Sequence, residues 1–139
     1  NDLSKKTSEI SIPPVQVFDG QYGVELRNNL LNKLTPFGKP ENPVYILDIS
    51  LSTPKIDDYT IKTNGIASSR IVRMSAEYTF KKKGDAKVLF TKTATATSPY
   101  NLLNNQFSTE MLKNEAVKLS IEDISNQIYF AIITYFTEK

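Results

Sequence analysis

Hydrophobic and polar positions recur with two different periods along this chain, and each change of period marks a new element. Apolar and polar residues alternate at 10–12 before two prolines at 13–14, which predicts a short strand that ends there because proline cannot donate to a ladder. Helical spacing follows and stops at 35–38, with Asp19 as the expected N-cap. The apolar residues of this predicted helix are Tyr22, Leu26, Leu30, Leu31 and Leu34.

From residue 44 onward the period is two, which predicts three long strands. The first runs over 44–52, and 59–63 extends the same arm as far as Asn64–Gly65, the strongest short hairpin signal in the chain. The second strand covers 67–82 and the third covers 87–98. Each is long enough to belong to an extended, half-buried sheet.

Small and β-branched residues alternate in the third predicted strand. Ala94 and Ala96 take one side, where a helix can lie close, and a row of threonines takes the other; the row consists of Thr91, Thr93, Thr95 and Thr97. This uncharged row is either a solvated outer face or a partner interface. In the second case its hydroxyls would exchange hydrogen bonds with another polar wall without desolvating a charge.

The chain ends in a long helical pattern. No Gly or Pro follows Pro99, and residues 107–136 predict a helix about 45 Å long at 1.5 Å per residue. The first half is amphipathic through Met111, Leu112, Ala116, Leu119 and Ile124. The second half is apolar around most of its circumference, which indicates either deep burial or cover by a partner; its apolar residues are Ile128, Tyr129, Phe130, Ile132, Ile133, Tyr135 and Phe136.

The order of the elements predicts one α+β domain with two layers over 9–139, preceded by a flexible polar tether over 1–8.

The composition argues against catalysis, because the chain contains no His, Cys or Trp and no nucleophile elbow or phosphate-binding glycine loop. Zinc and calcium sites are not expected either. A net charge of +2 argues against nucleic-acid binding. The longest apolar run, 128–133, is too short to cross a bilayer.

Two arginines on the second strand are candidates for anion binding. The planar fork of Arg70 or Arg73 can hold phosphate or carboxylate in a bidentate manner. Arg70 has the same parity as Val72 and is therefore expected on the apolar side of the strand. The alternative is an arginine whose stem is buried and whose head is paired with a nearby acid.

A series of short segments then carries a resemblance: 21–28 (QYGVELRN) with Leu30 and Leu34, 44–47 (VYIL), Arg70, 76–80 (AEYTF), 98–101 (SPYN) and Ala116. In this order they resemble the LPS-assembly lipoprotein family, LptE, most closely its alphaproteobacterial branch. The resemblance extends over about residues 10–136. It implies a β-α-β-β-β-α fold in which two helices pack on one face of a four-stranded mixed sheet.

The resemblance also implies a function without a cofactor. Such a protein is lipid-anchored on the periplasmic face of the outer membrane and plugs the β-barrel of LptD, which delivers lipopolysaccharide to the cell surface. The threonine row would then meet the polar lumen of the barrel. Lys62, Arg70 and Arg73 would meet lipopolysaccharide phosphates. The family's lipidated Cys is absent here, so we expect the anchor upstream of residue 1.

Two other functions remain open from the sequence. One is a periplasmic ligand-binding or adaptor domain of another envelope system. The other, less favoured, is a double-stranded RNA-binding module, which also combines a helix, three strands and a helix but is about half this length.

Overall fold

A computed structural model of the protein describes residues 2–17, 20–84 and 87–138. It contains three helices and six strand segments within these residues. In chain order they are α1 (Asp2–Thr7), β1 (Ile10–Ser11), β2 (Gln16–Val17), α2 (Gly20–Leu34), β3 (Tyr45–Leu51), β4 (Lys55–Ile61), β5 (Ala67–Lys82), β6 (Val88–Asn101) and α3 (Gln106–Thr137). The elements predicted from the two hydrophobic periods are therefore present, while the predicted N-cap Asp19 lies outside the described residues.

The sheet is built around β5, which has neighbours on both sides. β6 pairs with it in antiparallel fashion from Ser69↔Asn101 to Lys81↔Val88. On the other side β4 pairs with the first half of β5 and β3 with its second half, both antiparallel. Because β3 and β4 run in the same direction along the same neighbour, they behave as one long strand interrupted at 52–54.

The remaining edge is formed by two short segments that run parallel to β3. β1 pairs through Ile10↔Tyr45, and β2 pairs through Gln16↔Ser50. Pro13–Pro14 lies between them, since proline cannot continue the ladder. Counted by position, the six segments form four strands in a mixed sheet, which confirms the predicted fold class.

The two long helices pack on the same face of this sheet, which we call the helix face. Residues of even number on β5 point to it, and Val72, Met74, Ala76, Tyr78 and Phe80 are all buried. α2 contributes Leu26, Leu30 and Leu34 to the same core. The sheet's opposite side, the outer face, carries no helix among the described elements.

The buried stripe of α3 differs from the predicted one in its first half. Met111, Leu112 and Leu119 are exposed, and the buried positions are Ala116, Val117, Ser120, Ile121, Ile124, Ser125, Ile128, Ile132 and Phe136. Small residues are needed where α3 approaches the sheet closely. Ser120 Oγ, for example, donates to Ser98 Oγ at 3.0 Å. The second half is mainly a core element, although Phe130 remains 70% exposed.

The segment expected to be a flexible tether contains the short helix α1. Thr7 is buried, Leu3 packs against the core, and Lys6 Nζ lies 5.7 Å from the centroid of the Phe136 ring. A helix of six residues is too short to be stable alone. Its contacts with α3 therefore account for a structure that the polar sequence of this segment does not predict.

Candidate functional site

The threonine row lies on the outer face, as the alternation in β6 predicted. All four threonines are exposed, while Ala94 and Ala96 between them are buried under α3. In the ladder with β5 they stand opposite residues of odd number, Thr91↔Thr79, Thr93↔Glu77, Thr95↔Ser75 and Thr97↔Arg73. Thr79 and Thr91 share a hydroxyl hydrogen bond of 3.2 Å. The centre of the outer face is thus mostly hydroxyl-bearing.

A bulge next to this row creates a groove. Three residues, 52–54, stand opposite only two residues of β5, 74–75, so the β3–β4 arm bulges at this point. Ser52 keeps the arm paired with β5 at this bulge. Its N–H donates to the Ser75 carbonyl, and its Oγ accepts from the Ser75 N–H. The resulting groove has a volume of about 680 Å³; it is lined by Ser52, Thr53, Pro54, Lys55, Arg73, Met74, Ser75, Thr95, Ala96 and Thr97.

Two cations stand opposite each other at one end of this groove. Lys55 and Arg73 are direct cross-strand partners, an arrangement that is unfavourable for like charges. Arg73 Nε lies 3.7 Å from Asp57 Oδ2, and both side chains are about half exposed. Lys55 forms no ion pair with any of the residues that the structure describes. An anion placed between the two cations would therefore be attracted by both.

Arg70 lies on the other side of the sheet. As its parity with Val72 predicted, it points to the helix face, near the beginning of α3, and its Nε donates to Asp58 Oδ1 at 3.3 Å. This hydrogen bond to Asp58 is the main cause that raises the pKa of Arg70, and the Tyr100 side chain raises the pKa further. The side chain belongs to a polar cleft of about 570 Å³ that also contains Thr109, Glu110 and Lys113.

Lys62 lies at a third place, the tip of the β4–β5 hairpin. Its N–H donates to the Ile66 carbonyl, and Gly65 adopts a φ of +83°, which explains the glycine at this turn. The side chain is exposed. The structure therefore separates the three predicted cations, because Lys62 is at the tip, Arg70 on the helix face and Arg73 on the outer face.

Two features of this region are not predicted by the periodicity of the sequence. The first is Lys55, whose position opposite Arg73 depends on a bulge that alternation alone does not reveal. The second is an apolar hairpin tip, where Tyr59, Ile61 and Ile66 are each about 60% exposed. Their apolar character was visible in the sequence, but the lack of a covering element was not.

The described residues contain no cluster of three or more His, Cys, Asp or Glu side chains placed to hold a metal ion. None of the helices in this part of the chain combines the length and the apolarity that a bilayer crossing needs.

Comparison with known proteins gives a likeness in structure only. No protein-family model matches the chain, and no curated protein sequence matches it. Among solved structures, a Caulobacter crescentus protein named as a candidate lipoprotein has a TM-score of 0.74 at 12% identity, over 99% of this chain and 97% of that one.

Two further lipoproteins have the same fold. The minor lipoprotein of Acinetobacter baumannii has a TM-score of 0.63 at 15% identity, over 91% of this chain and 89% of that chain. The rare lipoprotein B of Shewanella oneidensis has a TM-score of 0.63 at 12% identity, over 93% and 96%. The chain thus has a fold that is found in bacterial lipoproteins.

Proposed function

We propose that this protein is a lipid-anchored assembly factor of the outer membrane that plugs the LptD barrel and assists lipopolysaccharide delivery. The observation that carries the proposal is the uncovered, hydroxyl-rich outer face of β5 and β6. The sequence resemblance to the LptE family and the fold found in bacterial lipoproteins support it.

The composition of this outer face restricts the kind of surface that can lie against it. An exposed sheet face of threonines is too polar to be covered by an apolar partner, and most of its groups carry no charge that would need a counterion. The lumen of a membrane barrel is polar. Hydroxyls can exchange hydrogen bonds with such a wall at little desolvation cost, so the face and the lumen are complementary.

The groove beside this face is the favoured site for a phosphate of the glycolipid. Arg73 lies on the same face as the threonine row, and Lys55 adds a second cation directly opposite. Arg70 is less well placed, since its guanidinium group already donates a hydrogen bond to Asp58. Among the three predicted cations, Arg73 should therefore contribute most to lipopolysaccharide binding.

Co-purification with LptD tests the plug role. We expect the wild-type protein to be recovered with the co-expressed barrel, and Thr95→Asp, which places a charge in the middle of the row, to reduce recovery strongly. Thr137→Asp is the matched control, because Thr137 is an exposed threonine outside the threonine row, at the C-terminal end of α3. A wild-type protein that is never recovered with the barrel would instead favour an adaptor of another envelope system.

A separate measurement tests glycolipid binding. The protein should disperse lipopolysaccharide aggregates in light scattering, and Arg73→Ala should weaken this effect more than Arg70→Ala does. Equal dispersion by both variants and the wild type would remove both arginines from the site.

A further inference from the structure

The free edge of β6 has a hydrogen-bonding pattern that can be derived from the ladder. The N–H of Leu102 donates to the Ser68 carbonyl at 3.0 Å, so these opposed residues form a hydrogen-bonded pair of the antiparallel type. The register is unbroken from Ser69↔Asn101 to Phe80↔Phe90. Hydrogen-bonded and non-hydrogen-bonded pairs alternate, so residues of even number on β6 bond to β5. Residues of odd number turn their N–H and C=O groups away from it.

Two observations agree with this assignment. Pro99 has no N–H to give to a ladder, and it occupies an odd position. The Thr95 carbonyl, also at an odd position, accepts a hydrogen bond of 2.7 Å from Gln127 Nε2 of α3. That bond forms from outside the ladder, which requires the carbonyl to point off the edge.

The threonine row therefore supplies the main-chain groups of the edge as well as the hydroxyls of the outer face. β6 pairs only with β5 in the described part of the chain. No described residue bonds to the main-chain N–H or C=O of Thr91, Thr93 or Thr97 on the open side. From Thr91 to Thr97 this edge is about 20 Å long at the usual strand rise.

We propose that β6 takes up an extended segment of a partner protein as an additional antiparallel strand opposite Thr91–Thr97. Strand addition gives affinity through main-chain hydrogen bonds, and the side chains that flank the new strand give specificity. The inference does not depend on the identity of the partner proposed above, because it follows from the main-chain groups of Thr91, Thr93 and Thr97 on the open side. The Thr95 carbonyl, which already accepts from Gln127, has a second lone pair for the added strand.

The side chains around the edge indicate the chemistry of that segment. Lys92 is exposed on the helix face, 5.1 Å from the Phe90 ring centroid, and forms no ion pair among the described residues. A carboxylate opposite Lys92 would satisfy it. Beside the threonine row and the small residues Ala94 and Ala96, the segment needs small, neutral side chains. A second copy of this chain fits less well, because β6 contains no acidic residue.

Lys92 and Pro99 also restrict which strands can pair here. A lysine and a proline on an edge are common devices against accidental pairing. A segment that lacks the carboxylate would leave the charge of Lys92 without a counterion, so the same residue favours one partner protein and disfavours others.

The probe is a capped seven-residue peptide, Thr-Ser-Thr-Ser-Thr-Glu-Thr, whose glutamate lies opposite Lys92 when the strand is antiparallel. It is titrated into the isotope-labelled protein and followed by NMR. We expect shifts concentrated at the amides of Thr91, Thr93 and Thr97. N-methylation of the peptide residue opposite Thr93 should weaken binding about tenfold, because one main-chain donor is lost. Replacing the glutamate by lysine should weaken it as well.

Two protein variants provide the matched comparison. Thr93→Pro removes an N–H that points off the edge and leaves the β5 ladder intact, as Pro99 does in the native strand. Thr93→Val keeps this N–H and changes only the side chain. We expect Thr93→Pro to lose binding about tenfold and Thr93→Val to keep most of it. The N-methylated peptide gives the same test on an unaltered protein if Thr93→Pro folds poorly.

Three results would overturn the inference. One is the absence of peptide-induced shifts along β6 in the wild-type protein. Another is undiminished affinity in both tests, namely the N-methylated peptide with the wild-type protein and the unmodified peptide with Thr93→Pro. The third is a concentration-dependent dimer of the free chain that Thr93→Pro abolishes, which would assign the edge to a second copy.

Discussion

The two faces of the β5–β6 ladder differ sharply in burial, although they are built from the same two strands. On the helix face, Phe80 and Val72 are fully buried and Ala94 is 1% exposed. On the outer face, each residue of the threonine row is exposed. A shift of one residue in sequence therefore moves a side chain from the core to the exposed outer face.

This difference allows stability and partner binding to be tested separately along one strand. Substitutions at the buried even positions of β5 between 72 and 80, and at Ala94 and Ala96 of β6, should act on the free energy of unfolding, whereas substitutions in the threonine row should act on partner binding. The comparison can be tested with neighbouring residues, because the backbone is shared and only the parity changes.

The largest loss of stability is expected at the aromatic cluster on the helix face. Phe80 stacks on Tyr45 with ring centroids 5.2 Å apart and also meets Phe90, Tyr135 and Phe136. Phe80→Ala should lower the free energy of unfolding by about 3–5 kcal/mol, as measured by urea denaturation. The control Phe130→Ala, at a residue that is 70% exposed, should change it by less than about 0.5 kcal/mol. Equal effects would contradict the assigned core.

A smaller loss is expected from overpacking beneath α3. Ala94→Leu inserts a large side chain where the helix lies close, and it should cost about 1–3 kcal/mol. Thr93→Leu adds similar bulk one residue earlier, on the outer face, and should leave stability nearly unchanged. If the two leucine variants were equally stable in urea, the two faces would not differ as described.

The ion pair of Arg70 with Asp58 should contribute little, because both side chains are about half exposed. A double-mutant cycle with Arg70→Ala and Asp58→Ala should give a coupling energy below about 1 kcal/mol, decreasing with added salt. A larger, salt-independent coupling would indicate that the surrounding cleft is less hydrated than its exposure implies.

The smallest effect concerns alkaline pH. Burial raises the pKa of Tyr78 above its usual value of 10.0. The unfolded chain therefore loses this proton first, so the contribution of Tyr78 to stability is constant below pH 10 and declines above it. Tyr78→Phe should reduce the loss of stability measured between pH 9 and 11, whereas Tyr59→Phe, at an exposed residue, should not. An identical pH profile for Tyr78→Phe would show that ionisation of Tyr78 does not contribute to the decline.

The sequence was sufficient to predict the main elements, because their periodicity is strong and local. The bounds of β5 match the predicted 67–82, and the directions of Ala94, Ala96 and the threonine row follow from alternation. Helix α1 was not predictable, since its six residues depend on contacts with α3. The barrel and lipopolysaccharide roles stay predictions.

The exposed residues at the start of α3 could not be predicted for a similar reason. Periodicity marks Met111 and Leu112 as apolar but does not say whether another helix lies beside them. α2 has 15 residues against 32 in α3, and it adjoins α3 around Lys118 and Glu122. The pairing of the candidate cations could not be predicted either, since the position of Lys55 opposite Arg73 depends on the register between β4 and β5.

The interruption at 52–54 divides the β3–β4 arm into parts of unequal local stability. Three apolar residues of β3, Leu47, Ile49 and Leu51, are buried, while β4 contains no buried residue. The hairpin end can therefore open while the base of the sheet stays closed. Amide hydrogen exchange should be fast in Lys55–Ile61 and slow in Tyr45–Leu51. A partner that binds the hairpin tip would therefore contact a segment that opens locally while β3 stays folded.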